Sequence, residues 1–243
     1  MSLCNQCGAR NGLTLVHQKL GLSFPETLEK VSKIMGNVPE EKKKAEKDYR
    51  KMLNDTWRMG QSLIKGDPVM EYLAGRGLKL IPDNVRFAQA CWESETKTRM
   101  PAMIALVTGP DGKPITIHRT YLKGGKKAPI ESPRKLMPHN GTLHGAAIRL
   151  FEPEQGVLGI AEGAETAIAA TQLFKVPTWA AVTAGIMESW EPPEGIETVF
   201  IFGDNDASYT GQKSAYTLAN KLVLKGLKIV VRIPEEIGDW NDD

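Results

Sequence analysis

A chain of 243 residues, 41% hydrophobic and 25% charged, has the composition of an ordinary folded protein and the length of one large domain or two modest ones, which excludes disorder. No apolar run approaches the roughly 18 residues of a membrane span, and Met1-Ser2-Leu3-Cys4 opens no basic segment followed by an apolar stretch, so no membrane partner is indicated and a cytoplasmic location is expected. The net charge of +2 hides an asymmetry: residues 1–151 hold 25 Lys and Arg against 14 Asp and Glu, residues 152–243 hold 6 against 15, so one half can attract polyanions and the other can hold cations.

Three cysteines, Cys4, Cys7 and Cys91, form no disulfide framework and agree with a reducing compartment. Cys4-Asn5-Gln6-Cys7-Gly8 has the spacing of one knuckle of a zinc ribbon. A structural zinc needs four ligands. Cys4 and Cys7 supply half of them, with His17 as a conceivable third, so a relic knuckle or a site shared between chains is expected rather than zinc held by this chain alone.

Ser23-Phe24-Pro25-Glu26 predicts a helix start with a capping box, and Phe24, Leu28, Val31 and Met35 form its packed stripe up to Gly36. A second helix is predicted from Pro39 to Gly60, its run Glu40 to Lys44 solvated, and a third over Val69–Ala74 behind the cap Asp67-Pro68. Strand texture follows at 85–87, 102–107 and 115–122, the last two joined by the turn Gly109-Pro110-Asp111-Gly112, which predicts a small antiparallel sheet. Residues 113–135 then carry Lys113, Arg119, Lys123, Lys126, Lys127, Arg134 and Lys135 against the single acid Glu131. Gly124-Gly125 and Pro129 and Pro133 predict a loop, suited to the phosphates of a nucleotide or nucleic acid.

After a strand-like stretch at 146–150, strand and helix alternate: strands at 157–161, 178–182, 198–203 and 228–233, with helices between them. The pattern predicts a mostly parallel sheet with helices on both faces. Acids sit at the carboxyl ends of its strands, Glu162, then Asp204 and Asp206, then Asp239 and Asp242, where such sheets place their sites. Each alone is weak, because Asp-x-Asp before a helix is usually a cap. Together they repel unless a hard divalent cation, Mg²⁺ or Mn²⁺, joins them.

Glu162-Gly163 after one strand and Asp204-Asn205-Asp206 after a later one resemble the Toprim domain, the metal-binding fold shared by bacterial-type primases, type IA and II topoisomerases and several nucleases. Tyr72 to Leu78, His118 to Leu122, Gly125 to Pro129, Ile148 to Leu150 and Ala161 to Ala167 look like successive blocks of primase-like Toprim proteins of phages and integrative mobile elements, and Cys4 to Phe24 like the end of a primase zinc-binding domain. The resemblance implies an α/β chain, α+β overall: residues 1–36 a zinc-ribbon remnant with a helix, 37–83 a helical linker, 84–151 a basic, mostly antiparallel subdomain, and 152–243 a Rossmann-like Toprim domain. It implies a DNA primase that joins nucleoside triphosphates on single-stranded DNA in a bacterial or phage-infected cell, beside a separate helicase, since no G-x-x-x-x-G-K-[ST] occurs. Glu162, Asp204 and Asp206 would be catalytic and, with Asp239 and Asp242, would hold the metal. Arg76, Arg119, Lys123, Lys126, Lys127 and Arg149 would bind nucleotide or nucleic acid. A Toprim nuclease and a non-catalytic replication regulator are the alternatives. No tyrosine has the setting of a topoisomerase nucleophile.

Overall fold

The computed structural model describes residues 2–4, 8–10, 12–35 and 47–241, in two units, Met1–Glu46 and Lys47–Asp243. In the first, β1 (Ser2–Cys4) pairs antiparallel with β2 (Gly8–Arg10), followed by α1 (Gly12–Leu20) and α2 (Phe24–Met35). The capping box forms: the Ser23 N–H donates to Glu26 Oε2 at 2.7 Å. The stripe it opens is not packed, since Phe24 is 52% and Leu28 43% exposed. Cys7 lies outside the described residues, and Cys4 is described only as backbone, so the zinc expectation falls outside them too.

In the second unit, α3 (Arg50–Met59) and α4 (Pro68–Gly75) come first. Asp67 caps α4, accepting from the Val69 and Met70 N–H groups at 2.8 Å, with Pro68 in the first turn, where no N–H is missed. The antiparallel sheet follows in the order β3 (Val85–Glu93), β4 (Thr98–Thr108), β5 (Pro114–Lys123) and β6 (Lys126–Lys127), while β7 (Arg134–Leu136) also pairs with β5. The basic segment is thus partly sheet and not simply a loop. The edge of β5 left free by β4 offers unpaired backbone groups, and the segment satisfies them. Gly124 and Gly125, both at positive φ (58° and 67°), make the two-residue turn from β5 into β6 that right-handed strand twist favours. The cations therefore stand on a pleated scaffold.

The parallel sheet comprises β8 (Val157–Ala161), β9 (Thr178–Ala180), β10 (Thr198–Phe202) and β11 (Lys228–Arg232), ordered β11-β10-β8-β9, with α5 (Ala164–Phe174), α6 (Ala184–Ser189) and α7 (Thr210–Val223) between them. Residues 146–150 make only isolated bridges, Ala147 to Thr108 at the end of β4 and Ile148 to Ala180 of β9, which tie the two sheets together. One hydrophobic core runs through both, from Tyr72, Leu73 and Leu122 to Ile148, Leu158 and Ile168.

Packing at the centre of the parallel sheet requires Gly159. A Cβ there would stand 2.3 Å from Thr178 Oγ1 and 3.0 Å from the Phe202 ring. Gly159→Ala is expected to cost about 1–3 kcal/mol through overpacking, measured by urea unfolding at constant slope; an unchanged midpoint would show that the strand has room to shift.

Candidate active site

From β8 the chain steps to β9 on one side, and from β10 to β11 on the other. With right-handed crossovers, α5 and α7 lie on opposite faces and a crevice opens between the carboxyl ends of β8 and β10. Register places the acids there: Ala161 pairs with Phe202, so Glu162 and Gly203-Asp204 leave the sheet side by side. The Asp239 segment is brought alongside by a two-way backbone bridge, Asn205 N–H to Gly238 O at 2.9 Å and Gly238 N–H to Asn205 O at 3.1 Å.

The two aspartates differ. Asp206 Oδ2 accepts the Gly211 N–H at 2.8 Å, serving α7 as a helix-terminal acid should. Asp204 does no such duty, and its Oδ1 is buried without a partner. Burial, then the charges of Glu162, Asp239 and Asp206, push the Asp204 carboxyl up to about 7. Glu162 is raised by burial and then by Asp206, against the pull of Arg134 and the Ala184 N–H. Asp239 Oδ1 accepts the Asn241 N–H at 2.7 Å, and Asp242 lies outside the described residues.

An orphaned, desolvated carboxylate oxygen among hard donors fits a divalent cation such as Mg²⁺. Among the described residues, however, no three His, Cys, Asp or Glu side chains are gathered so as to hold one ion together.

Cations face this cluster from the antiparallel sheet and α4. Arg134 on β7 acts on both Glu162 and Asp204. Lys127 on β6 lies 3.9 Å from Glu165 and feels Arg134, Arg76 and Asp239. Arg76, after α4, donates from Nε to Asn241 Oδ1 at 3.0 Å, clasping the segment that carries Asp239. Lys123 and Lys126 are exposed on the β5–β6 turn.

Two predicted nucleotide-binding residues are engaged elsewhere. Arg119 donates to the carbonyls of Trp92 (2.9 Å) and Leu136 (3.5 Å) and lies over the Tyr121 ring; alternation along β5 turns it away from the face of His118. Arg149 donates to the carbonyls of Gly109 and Pro110 and stacks over Trp179, binding a turn to the second sheet. Arg134 is the residue that sequence reasoning left out of the site. Read as strand, Arg134-Lys135 would have split by alternation, Lys135 going to Glu93 and Glu95 and Arg134 to the acids.

Residues 157–243 match the family model of the Toprim domain, and residues 47–150 that of a domain of unknown function (DUF7146). Residues 157–243 form a Toprim domain. The fold is similar to that of bacterial primase cores. The zinc-binding and RNA polymerase domains of Aquifex aeolicus primase match with a TM-score of 0.55 at 15% identity, covering 96% of this chain and 66% of that one. A DNA primase domain from Pseudomonas aeruginosa matches at 0.54 and 15%, covering 80% and 74%. A DnaG primase catalytic domain bound to single-stranded DNA matches at 0.51 and 13%, covering 79% and 74%. The chain spans just under two thirds of the Aquifex protein's length. No curated protein matches it in sequence. Among the described residues no helix is long and apolar enough to cross a membrane.

The Asp204 charge should carry a signature in stability. A carboxyl raised from 3.8 to about 7 binds more protons folded than unfolded, so its contribution turns unfavourable as pH rises from about 4 to about 7. In chelator, Asp204→Asn is expected to melt higher than the parent at pH 8 and to lose that advantage at pH 4; equal melting curves at both would remove the charge cluster. At Gly211, an added Cβ would stand 2.6 Å from the Asp204 carbonyl oxygen. Gly211→Ala should therefore weaken Mn²⁺ binding, followed by electron paramagnetic resonance, by about tenfold, equivalent to ~1.4 kcal/mol, with the α-helical circular dichroism intact.

Proposed function

We propose that this chain is a primase-type nucleotidyltransferase that joins nucleoside triphosphates into short oligonucleotides on single-stranded DNA. The observation that carries the reading is the meeting, at one switch point, of Glu162, Asp204, Asp206 and Asp239 with Arg76, Lys127 and Arg134. Phosphoryl transfer needs charge neutralisation and in-line positioning more than a protein nucleophile, and this arrangement supplies both signs of charge on opposed walls.

In this reading Asp204, Asp206 and Asp239 hold Mg²⁺ or Mn²⁺, with Asp242 as a further ligand. The metal, when bound, supplies Lewis acidity and neutralises phosphate charge. Glu162, whose proton affinity is raised by burial, accepts the proton of the attacking 3′-hydroxyl. Lys127 and Arg134 take the phosphates, while the exposed Lys123 and Lys126 meet the template backbone, whose affinity falls with salt. A separate helicase is the expected partner. The fold of a primase domain bound to single-stranded DNA supports the same substrate class.

The chain with single-stranded DNA, labelled ribonucleotides and Mg²⁺ or Mn²⁺ should produce oligonucleotides of a few residues, and Glu162→Gln or Asp204→Asn should lower the yield at least a hundredfold, on the order of 3 kcal/mol of transition-state stabilisation. Degradation of the DNA without synthesis would replace the reading with a nuclease using the same acids. Binding of DNA with neither reaction would replace it with a regulator, a role for which keeping a self-repelling carboxylate cluster is a cost without return.

A further inference from the structure

Glu165 lies one turn into the chain from Glu162, on the first turn of α5, and is 3% exposed. An acid there favours the helix dipole, but a solvated acid would do so without the penalty of burial. Its partners come from the other half of the unit. The Tyr72 hydroxyl, itself on a residue 2% exposed, donates to Glu165 Oε1 at 2.6 Å. Lys127 Nζ stands 3.9 Å from the same oxygen. Oε2 is buried without a partner. It lies on the same side of Gly163 as the Arg134 guanidinium: a Cβ on that glycine would be 3.9 Å from Oε2 and 3.6 Å from Arg134 Nη1.

We propose that Glu165, backed by Tyr72, is a positioning residue that holds the ammonium of Lys127 beside Arg134 at the carboxyl edge of the parallel sheet, so that the two cations receive the phosphate chain of a nucleoside triphosphate together. The inference rests on the nucleotidyltransferase reading and deepens it. Burial pulls Lys127 toward its neutral form, as do Arg134 and Arg76 beside it, and Glu165 opposes them. Glu165 in turn stays ionised despite burial because of Lys127 and the Tyr72 hydroxyl. His118, also buried in this cluster, is pushed down to about 4, chiefly by burial, and so adds no competing charge near neutrality. Glu165 also repels phosphate. It is the more deeply buried of the pair, though, so an anion entering from solvent meets Lys127 first, and the loss of an aimed cation outweighs the relief of a more distant repulsion.

The test is equilibrium binding of ATP with Mg²⁺ to the whole chain, without template, by calorimetry. Glu165→Gln and Lys127→Ala should each weaken binding about tenfold, and the double variant should bind no worse than Lys127→Ala alone, since the two act through one group. Lys127→Arg placed on Glu165→Gln should recover most of the loss, because a guanidinium stays charged without a counter-ion; a merely structural role for Glu165 would not be rescued in this way. Mn²⁺ binding without nucleotide should be unchanged in Glu165→Gln. Unaltered ATP affinity in Glu165→Gln, or losses that add fully in the double variant, would overturn the positioning role and leave the nucleotidyltransferase reading standing. No ATP binding by the parent chain would overturn both. Should Glu165→Gln not fold by circular dichroism, Tyr72→Phe, which removes one hydroxyl from behind the same carboxylate, takes its place with the same outcomes and a smaller loss.

Discussion

Four carboxylates that repel one another at the mouth of a parallel sheet set the terms for much of this molecule. Asp204 is desolvated, flanked by Glu162, Asp206 and Asp239, and has one oxygen with no partner. Nothing about packing asks for this arrangement, since apolar residues of similar size would fill the same volume at lower cost. It persists because backbone geometry imposes it. The β8–β10 register, the contact of Gly211 with the Asp204 carbonyl, and the bridge between Asn205 and Gly238 each fix one strand of the cluster.

The first part of the unit 47–243 supplies the cations that the wall of acids lacks. Its cations stand on short strands added to the edge of β5, and a strand fixes direction as well as position. Lys135 pairs with Glu93 and Glu95 on one side while Arg134, one residue earlier, acts on Glu162 and Asp204. Polar clasps join the halves at the site: Tyr72 to Glu165, Arg76 to Asn241, and Gln172 to the Lys79 N–H and the Gly77 carbonyl. Because the Tyr72 bond is buried and the Arg76 bond partly buried, moving one half relative to the other would leave their polar groups unpaired. The two walls of the crevice are therefore held at a set separation.

Where the sequence carried a period or a cap, it was readable. Asp67-Pro68 and Ser23 to Glu26 begin helices as local chemistry requires, and the apolar runs at 157–161 and 198–202 are central strands because nothing polar interrupts them. The basic segment was harder to read, since Gly, Pro and Lys argue locally for a loop and only the unpaired edge of β5, a distant feature, draws residues 126–127 and 134–136 into strands. The surroundings of two candidate cations were equally hard to read. Arg119 and Arg149 have the charge to bind phosphate, but their guanidinium groups go to main-chain carbonyls that only the folded chain brings within reach.

By itself, then, the sequence determined the alternating class of the second half, the polarity of charge between the halves, and the strand-end acids, because periodicity, capping and charge are properties of neighbouring residues. Tertiary structure alone decided which cations face those acids, which are buried in structural bonds, and that Glu165, outwardly a helix-terminal acid, is tied to Tyr72 and Lys127 from residues far away in the chain. Those outcomes depend on strand order and on which face each side chain meets, and both arise only when distant segments compete for the same free edge and the same core.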